Sequence, residues 1–164
     1  MKYIKIIGLI ISLTFIPLDS IKTIPFQGKS YIVMEASNQI VIEGSNQDYI
    51  QSVASISKIM TCIIAIENME LDTIVTVDDT INEAWGSGIY IHIGDKISLR
   101  DLLYGLMLRS GNDAAVMIAK AVAKDIPKFV DMMNDKAKEL ELHSTTFSNP
   151  TGLDEEDNGN QSSV

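Results

Sequence analysis

The chain has 164 residues, 46% of them hydrophobic and 21% charged, with a net charge of −9. That length and apolar content suffice for one globular domain with a core, and the acidic balance argues against nucleic acid or anionic lipid headgroups as partners. The single cysteine, Cys62, rules out an internal disulfide; in an apolar helix it reads as a small buried hydrophobe rather than a reactive thiol.

Residues 1–20 stand apart. Lys2 and Lys5 precede the apolar run 6–16, and Pro17 follows, the charged start and apolar length of an export signal that is too short to span a bilayer comfortably. Leu18, third back from Ser20, fits the small-residue cleavage rule poorly, so an uncleaved anchor is the alternative to a cleaved signal peptide. The runs 31–35 and 40–43, β-branched and separated by Ala36-Ser37-Asn38-Gln39, predict a hairpin. Their near-continuous apolarity predicts strands covered on both faces.

A polar loop, Asn46-Gln47-Asp48, then leads to Val53-Ala54-Ser55-Ile56-Ser57-Lys58-Ile59-Met60-Thr61. This predicts an α-helix through residue 69 whose first turn carries Ser55 and, three residues on, Lys58. Such positions share a helix face, so an amine can sit beside a hydroxyl. A serine hydroxyl needs a base to become a nucleophile, and a desolvated lysine can be that base. The spacing alone carries little weight, because a chain with 15 Ser and 11 Lys contains about one Ser-x-x-Lys by chance.

Farther along, residues 74–77 predict a short strand and Trp85-Gly86-Ser87-Gly88 a turn; Ser87 lacks the flanking glycines of a nucleophile elbow. Ser98 and Asp101 form a predicted capping box for a helix with Leu99, Leu102, Leu103, Leu106 and Met107 on one face. Ser110-Gly111-Asn112 falls on the turn after it, where a hydroxyl and a carboxamide can be aimed into a cleft. Residues 113–124 predict a helix buried nearly all round, and Asp125 caps another with an apolar stripe through Phe129, Met133 and Ala137. His92 and His143 have no supporting motif for a Ser-His-Asp relay, and two lone His with one Cys offer no metal spacing. Lys29-Ser30 lacks the first glycine of a phosphate loop, and residues 154–157 read as a solvated acidic loop.

Three stretches taken together, 54–61, 102–115 and Phe147-Ser148-Asn149-Pro150-Thr151-Gly152-Leu153-Asp154, resemble in order the serine D-alanyl-D-alanine carboxypeptidases, the low-molecular-mass penicillin-binding proteins. Residues 133–140 resemble that family's intervening helix. Ser-x-x-Lys and Ser-x-Asn are two of the superfamily's three signature motifs. The third, Lys-Thr-Gly, does not occur: Lys22-Thr23 is followed by Ile24 and Lys29-Ser30 by Tyr31.

The resemblance implies a mixed α+β fold of the β-lactamase and DD-peptidase type, of which residues 25–164 would be the N-terminal part, a hairpin plus a helical block, without the C-terminal strands. It implies Ser55 as nucleophile, Lys58 as base, Ser110 as proton relay and Asn112 bonding the substrate backbone or holding Lys58. It further implies a peptidoglycan stem peptide ending in D-Ala-D-Ala as substrate, β-lactams as inhibitors, no metal or cofactor, and an extracytoplasmic location with membrane contact only through the N-terminal segment or a C-terminal anchor. Two alternatives are a serine β-lactamase, whose broad-spectrum members usually carry Asp where Gly111 stands, and a non-catalytic remnant. Without the third motif, the 164 residues alone are expected to be inactive and marginally folded.

Overall fold

The computed structural model describes residues 28–154 and 159–163. The expected signal or anchor at residues 1–20 and most of the acidic loop at 154–157 lie outside them. A β-hairpin comes first, β1 (Tyr31–Met34) and β2 (Val41–Ser45), antiparallel with Val33 opposite Glu43 and a register shift before Met34. The turn forms as expected: the Glu35 carboxylate accepts from Ser37 N and Asn38 N, both at 3.1 Å.

The expected two-sided burial of these strands does not hold. Val33 is 48% exposed and Ile42 67%, because the two strands pair only with each other and no other described element lies over them. Restricted χ1 freedom of the β-branched side chains favours extended backbone here.

The rest is a helical block. A short strand β3 (Gln51–Ser52) leads into a 3-10 turn (Ala54–Ser57) and helix α1 (Lys58–Asn68). Strand β4 (Ile74–Thr76) pairs antiparallel with β5 (Lys96–Ser98), and the chain between them makes a second 3-10 turn (Asp79–Glu83). Helices α2 (Leu99–Arg109), α3 (Asn112–Ala123) and α4 (Ile126–Glu139) follow, and β6 (Gln161–Ser162) returns to pair with β3. None of the helices among the described residues is long and apolar enough to cross a membrane.

Helix α3 is the axis of the block. Its first eight residues, from Asn112 to Ala119, are all buried: the apolar run Ala114 to Ala119 requires it, and Asn112 and Asp113 are buried with hydrogen-bond partners. One cluster on it joins Ala65 of α1, Val75 of β4 and Leu99, Leu102 and Leu106 of α2 to Ala114, Met117 and Ile118; a second joins Met60 and Ile64 to Ala119, Phe129, Met133 and Phe147. Each fully buried Leu, Met or Phe contributes about 1.5–3 kcal/mol. The predicted α2 stripe is correct except at its end, where Met107 is 47% exposed.

The caps are placed as the sequence indicates, with one change. Ser98 Oγ accepts from Asp101 N at 3.1 Å, and the Asp101 carboxylate takes the Ser98 hydroxyl at 2.7 Å, so the carboxylate reaches the capping side chain. The Asp125 side chain accepts from Lys128 N at 3.2 Å.

Candidate active site

Ser55 lies in the 3-10 turn and Lys58 is the first residue of α1, so the expected α-helical first turn is replaced by a tighter one. With three residues per turn, positions i and i+3 eclipse, which stacks the two side chains more directly than α-geometry would. Lys58 Nζ donates to Ser55 Oγ at 3.2 Å and to the carbonyl oxygen of Thr151 at 2.5 Å. Lys58 is buried, 2% exposed, whereas Ser55 is exposed. Burial lowers the lysine pKa from 10.5 to about 8, because taking an ammonium out of water penalises its charged form. Roughly a fifth of molecules then hold a neutral amine at pH 7.4.

Ser110 ends α2 in the left-handed region, with φ 54 and ψ 37, and that backbone turn brings its Oγ within 2.9 Å of Ser55 Oγ. For a non-glycine residue this conformation costs about 1 kcal/mol or more. Lys58, Ser55 and Ser110 therefore form one hydrogen-bonded chain of an amine and two hydroxyls.

Asn112 belongs to the same corner and is not bonded to Lys58. Its Nδ2 donates to Trp85 O at 2.6 Å, its backbone N donates to Ser87 O at 2.7 Å, and its Oδ1 is buried with no partner among the described residues. The carboxamide thus braces the 85–88 turn with its nitrogen and keeps an acceptor free. Ser87 is an exposed turn residue whose carbonyl is the part engaged.

Two contributors lie in stretches that carry the family resemblance but have no role assigned from sequence. Asp113, 8% exposed, accepts from Ile89 N at 3.0 Å and Tyr90 N at 2.7 Å, pinning the wall beside Ser110. An acidic residue in a helix first turn is common, so its place in the 102–115 stretch gives no sign of this clamp. The second is the loop of residues 149–152. Pro150 O accepts from Thr61 Oγ1 at 2.8 Å and Thr151 O anchors Lys58. Gly152 has φ +79, and a Cβ there would overlap the carbonyl of Ala54 and lie 3.0 Å from Ser55 N, so only glycine fits. The Asn-Pro-x-Gly composition signals a turn, but not that its carbonyl meets the lysine.

His92 faces Asp95 at 3.8 Å, and His143 is exposed. Burial raises the Cys62 thiol above its usual range. No group of three or more His, Cys, Asp or Glu converges among the described residues.

A buried amine, an exposed serine hydroxyl and a second hydroxyl on one hydrogen-bonded path suit acyl transfer. The family model for D-alanyl-D-alanine carboxypeptidases matches residues 20–164. The chain belongs to this family. It is 38% identical over 108 residues to the D-alanyl-D-alanine carboxypeptidase DacF of Bacillus subtilis, covering 63% of this chain and 28% of that protein. It is 36% identical over 118 residues to the carboxypeptidase of Streptomyces sp. strain K15, covering 65% and 40%. The structure is similar to that of carboxypeptidase DacD from Francisella tularensis, with TM-score 0.78 and 30% identity over 85% of this chain and 35% of that one. It is also similar to penicillin binding protein 5 from Haemophilus influenzae, with TM-score 0.76 and 27% identity over 86% and 43%. The mixed α+β fold of the D-alanyl-D-alanine carboxypeptidases is therefore the fold of this chain, which spans 28% of the length of the first relative named and 40% of the second.

Proposed function

We propose that this chain carries the acylation machinery of a serine-type D-Ala-D-Ala carboxypeptidase acting on peptidoglycan stem peptides. The observation that carries the reading is the buried Lys58 amine 3.2 Å from Ser55 Oγ, with Ser110 Oγ 2.9 Å on the other side of that oxygen. Neutral Lys58 takes the Ser55 proton as Oγ bonds to the carbonyl carbon of the penultimate D-Ala. The tetrahedral adduct then expels the terminal D-Ala as its C–N bond breaks. The leaving nitrogen receives its proton from the Lys58 ammonium through Ser110, and water hydrolyses the ester with Lys58 again accepting a proton. The Oδ1 of Asn112, unpaired among the described residues and buried behind the 85–88 turn, takes a backbone N–H of the substrate once that turn moves aside. A base placed this way contributes about 10²–10⁴-fold in rate.

A β-lactam presents the same kind of acyl carbon, so penicillins acylate Ser55. Lys2, Lys5 and the apolar run 6–16 support export, with action on the outer face of the cell membrane during wall synthesis. Labelling the intact protein with a fluorescent penicillin and mapping the modified peptide tests the reading: adduct on Ser55, lost in Ser55→Ala and Lys58→Ala, is expected. An adduct elsewhere, or full labelling of Lys58→Ala, overturns it.

A further inference from the structure

If Lys58 is the base for Ser55, as proposed above, the direction of its lone pair matters as much as its pKa. A neutral amine has two hydrogens and one lone pair. A carbonyl only accepts, so the Thr151 O contact at 2.5 Å commits one N–H and limits where the lone pair can point. The orientation of the base therefore depends on what holds a backbone oxygen 93 residues away in sequence.

Two asparagines hold it. Asn149 Oδ1 accepts from Thr151 N at 3.1 Å, Thr151 Oγ1 at 2.9 Å and Gly152 N at 2.7 Å, which folds the loop around one oxygen. Asn149 is itself gripped by Asn160, which has no exposed surface: Asn160 Nδ2 donates to Asn149 O at 2.9 Å, and its Oδ1 accepts from Asn149 N at 3.2 Å and Ser148 N at 2.7 Å. The carboxamide pairs with the Asn149 peptide on both sides, as a neighbouring strand would. The main chain of Asn160 reaches the other partner, since its carbonyl accepts from Val53 N at 3.2 Å, two residues before Ser55.

We infer that Asn160 is a positioning residue of the active site: it ties the turn that carries Ser55 to the loop whose Thr151 carbonyl orients Lys58, and Asn149 transmits that hold. Neither residue touches the reacting atoms. The groups facing Lys58 are uncharged, namely Ser55 on its own turn, Ser110 beyond it and the Thr151 carbonyl. Of the charged residues on the packed helices, Lys136 of α4 pairs with Glu67 and Glu139, Arg100 of α2 with Asp72, and Asp113 of α3 with Ile89 N and Tyr90 N, while Arg109, next to Ser110 at the end of α2, is exposed. Asp154, after the loop, takes Ser52 Oγ. Because burial is what lowers the amine's pKa, loosening the loop raises it by admitting water.

The test is the rate of acylation by a fluorescent penicillin between pH 6 and 10.5 in the intact protein, Asn160→Leu and Asn149→Ala, with thermal melts alongside. Both substitutions are uncharged, so a moved midpoint reports geometry and not a new charge. Asn160→Leu is expected to acylate about 10²-fold more slowly at pH 7. The midpoint of its pH profile should rise from about 8 toward the ordinary lysine value of 10.5. Asn149→Ala shifts the same way and decides the matter by the same criteria if Asn160→Leu does not fold. A folded variant whose rate is unchanged, or whose rate falls with the midpoint unmoved, overturns the positioning role while leaving the Ser55–Lys58 reading intact. Absence of acylation in the unsubstituted protein as its own gene encodes it overturns both.

Discussion

Replacing Gly152 by alanine probes the closest approach in the site. Gly152 has φ +79, and the new methyl would overlap the Ala54 carbonyl and stand 3.0 Å from Ser55 N, both rigid backbone groups. Holding alanine in that conformation costs about 1–3 kcal/mol, and overpacking against backbone adds about 1–3 kcal/mol, for a total of roughly 2–6 kcal/mol. For a domain of this size that lowers the melting temperature by on the order of 10 °C. The strain is relieved by moving the Ser55 turn away from the 149–152 loop, which lengthens the Lys58 contacts on both sides, and a shift of about 1 Å costs about 10²-fold in rate. Melting followed by circular dichroism and the rate of penicillin acylation at 20 °C read the two effects separately. A Gly152→Ala protein that melts within a degree of the parent and acylates at the parental rate would refute the reasoning.

Lys58 imposes its own pH dependence on stability. Its folded pKa, about 8, lies below the unfolded 10.5, so between these values the unfolded chain binds the extra proton and stability rises with pH. Below about 8 the full cost of the buried ammonium applies. Urea unfolding of the parent against Lys58→Met should show the parent gaining about 1 kcal/mol between pH 7 and 9 relative to the variant; parallel pH curves would contradict it. Ser110→Gly removes left-handed strain at φ 54 and should be about 1 kcal/mol more stable than Ser110→Ala, while both acylate slowly. Equal melting temperatures would count against the strain. Asp113→Asn gives up a carboxylate acceptor for Ile89 N and Tyr90 N and should cost about 1–3 kcal/mol, with hydrogen exchange accelerating at those two amides before the helices; uniform protection would argue against the clamp.

The sequence makes the helical block and the serine–lysine pairing legible for the same reason: both rest on local periodicity. Apolar stripes place α2 and α4, the continuous apolar run places α3, and a spacing of three brings Ser55 over Lys58. Ser110 is reachable too, because it follows a well-capped helix whose length sets where the turn falls. The unread features are long-range or belong to the main chain. Thr151 O has no side-chain signature. The choice of Asn112 Nδ2 for Trp85 O depends on a turn 27 residues earlier. The 3-10 winding at Ser55, beside the close approach of Gly152 to Ala54, has no side-chain pattern of its own. Exposure of the hairpin was misjudged because periodicity reports apolarity, and not which surface arrives to cover it.

Lys58 meets its carbonyl anchor across 93 residues and Ser110 meets Ser55 across 55. While a ribosome has yet to release the later segment, the lysine stays hydrated and protonated, and the serine is no more reactive than any hydroxyl in solution. On the reading proposed above, Ser55 is therefore activated by completed tertiary structure and not by its local turn alone.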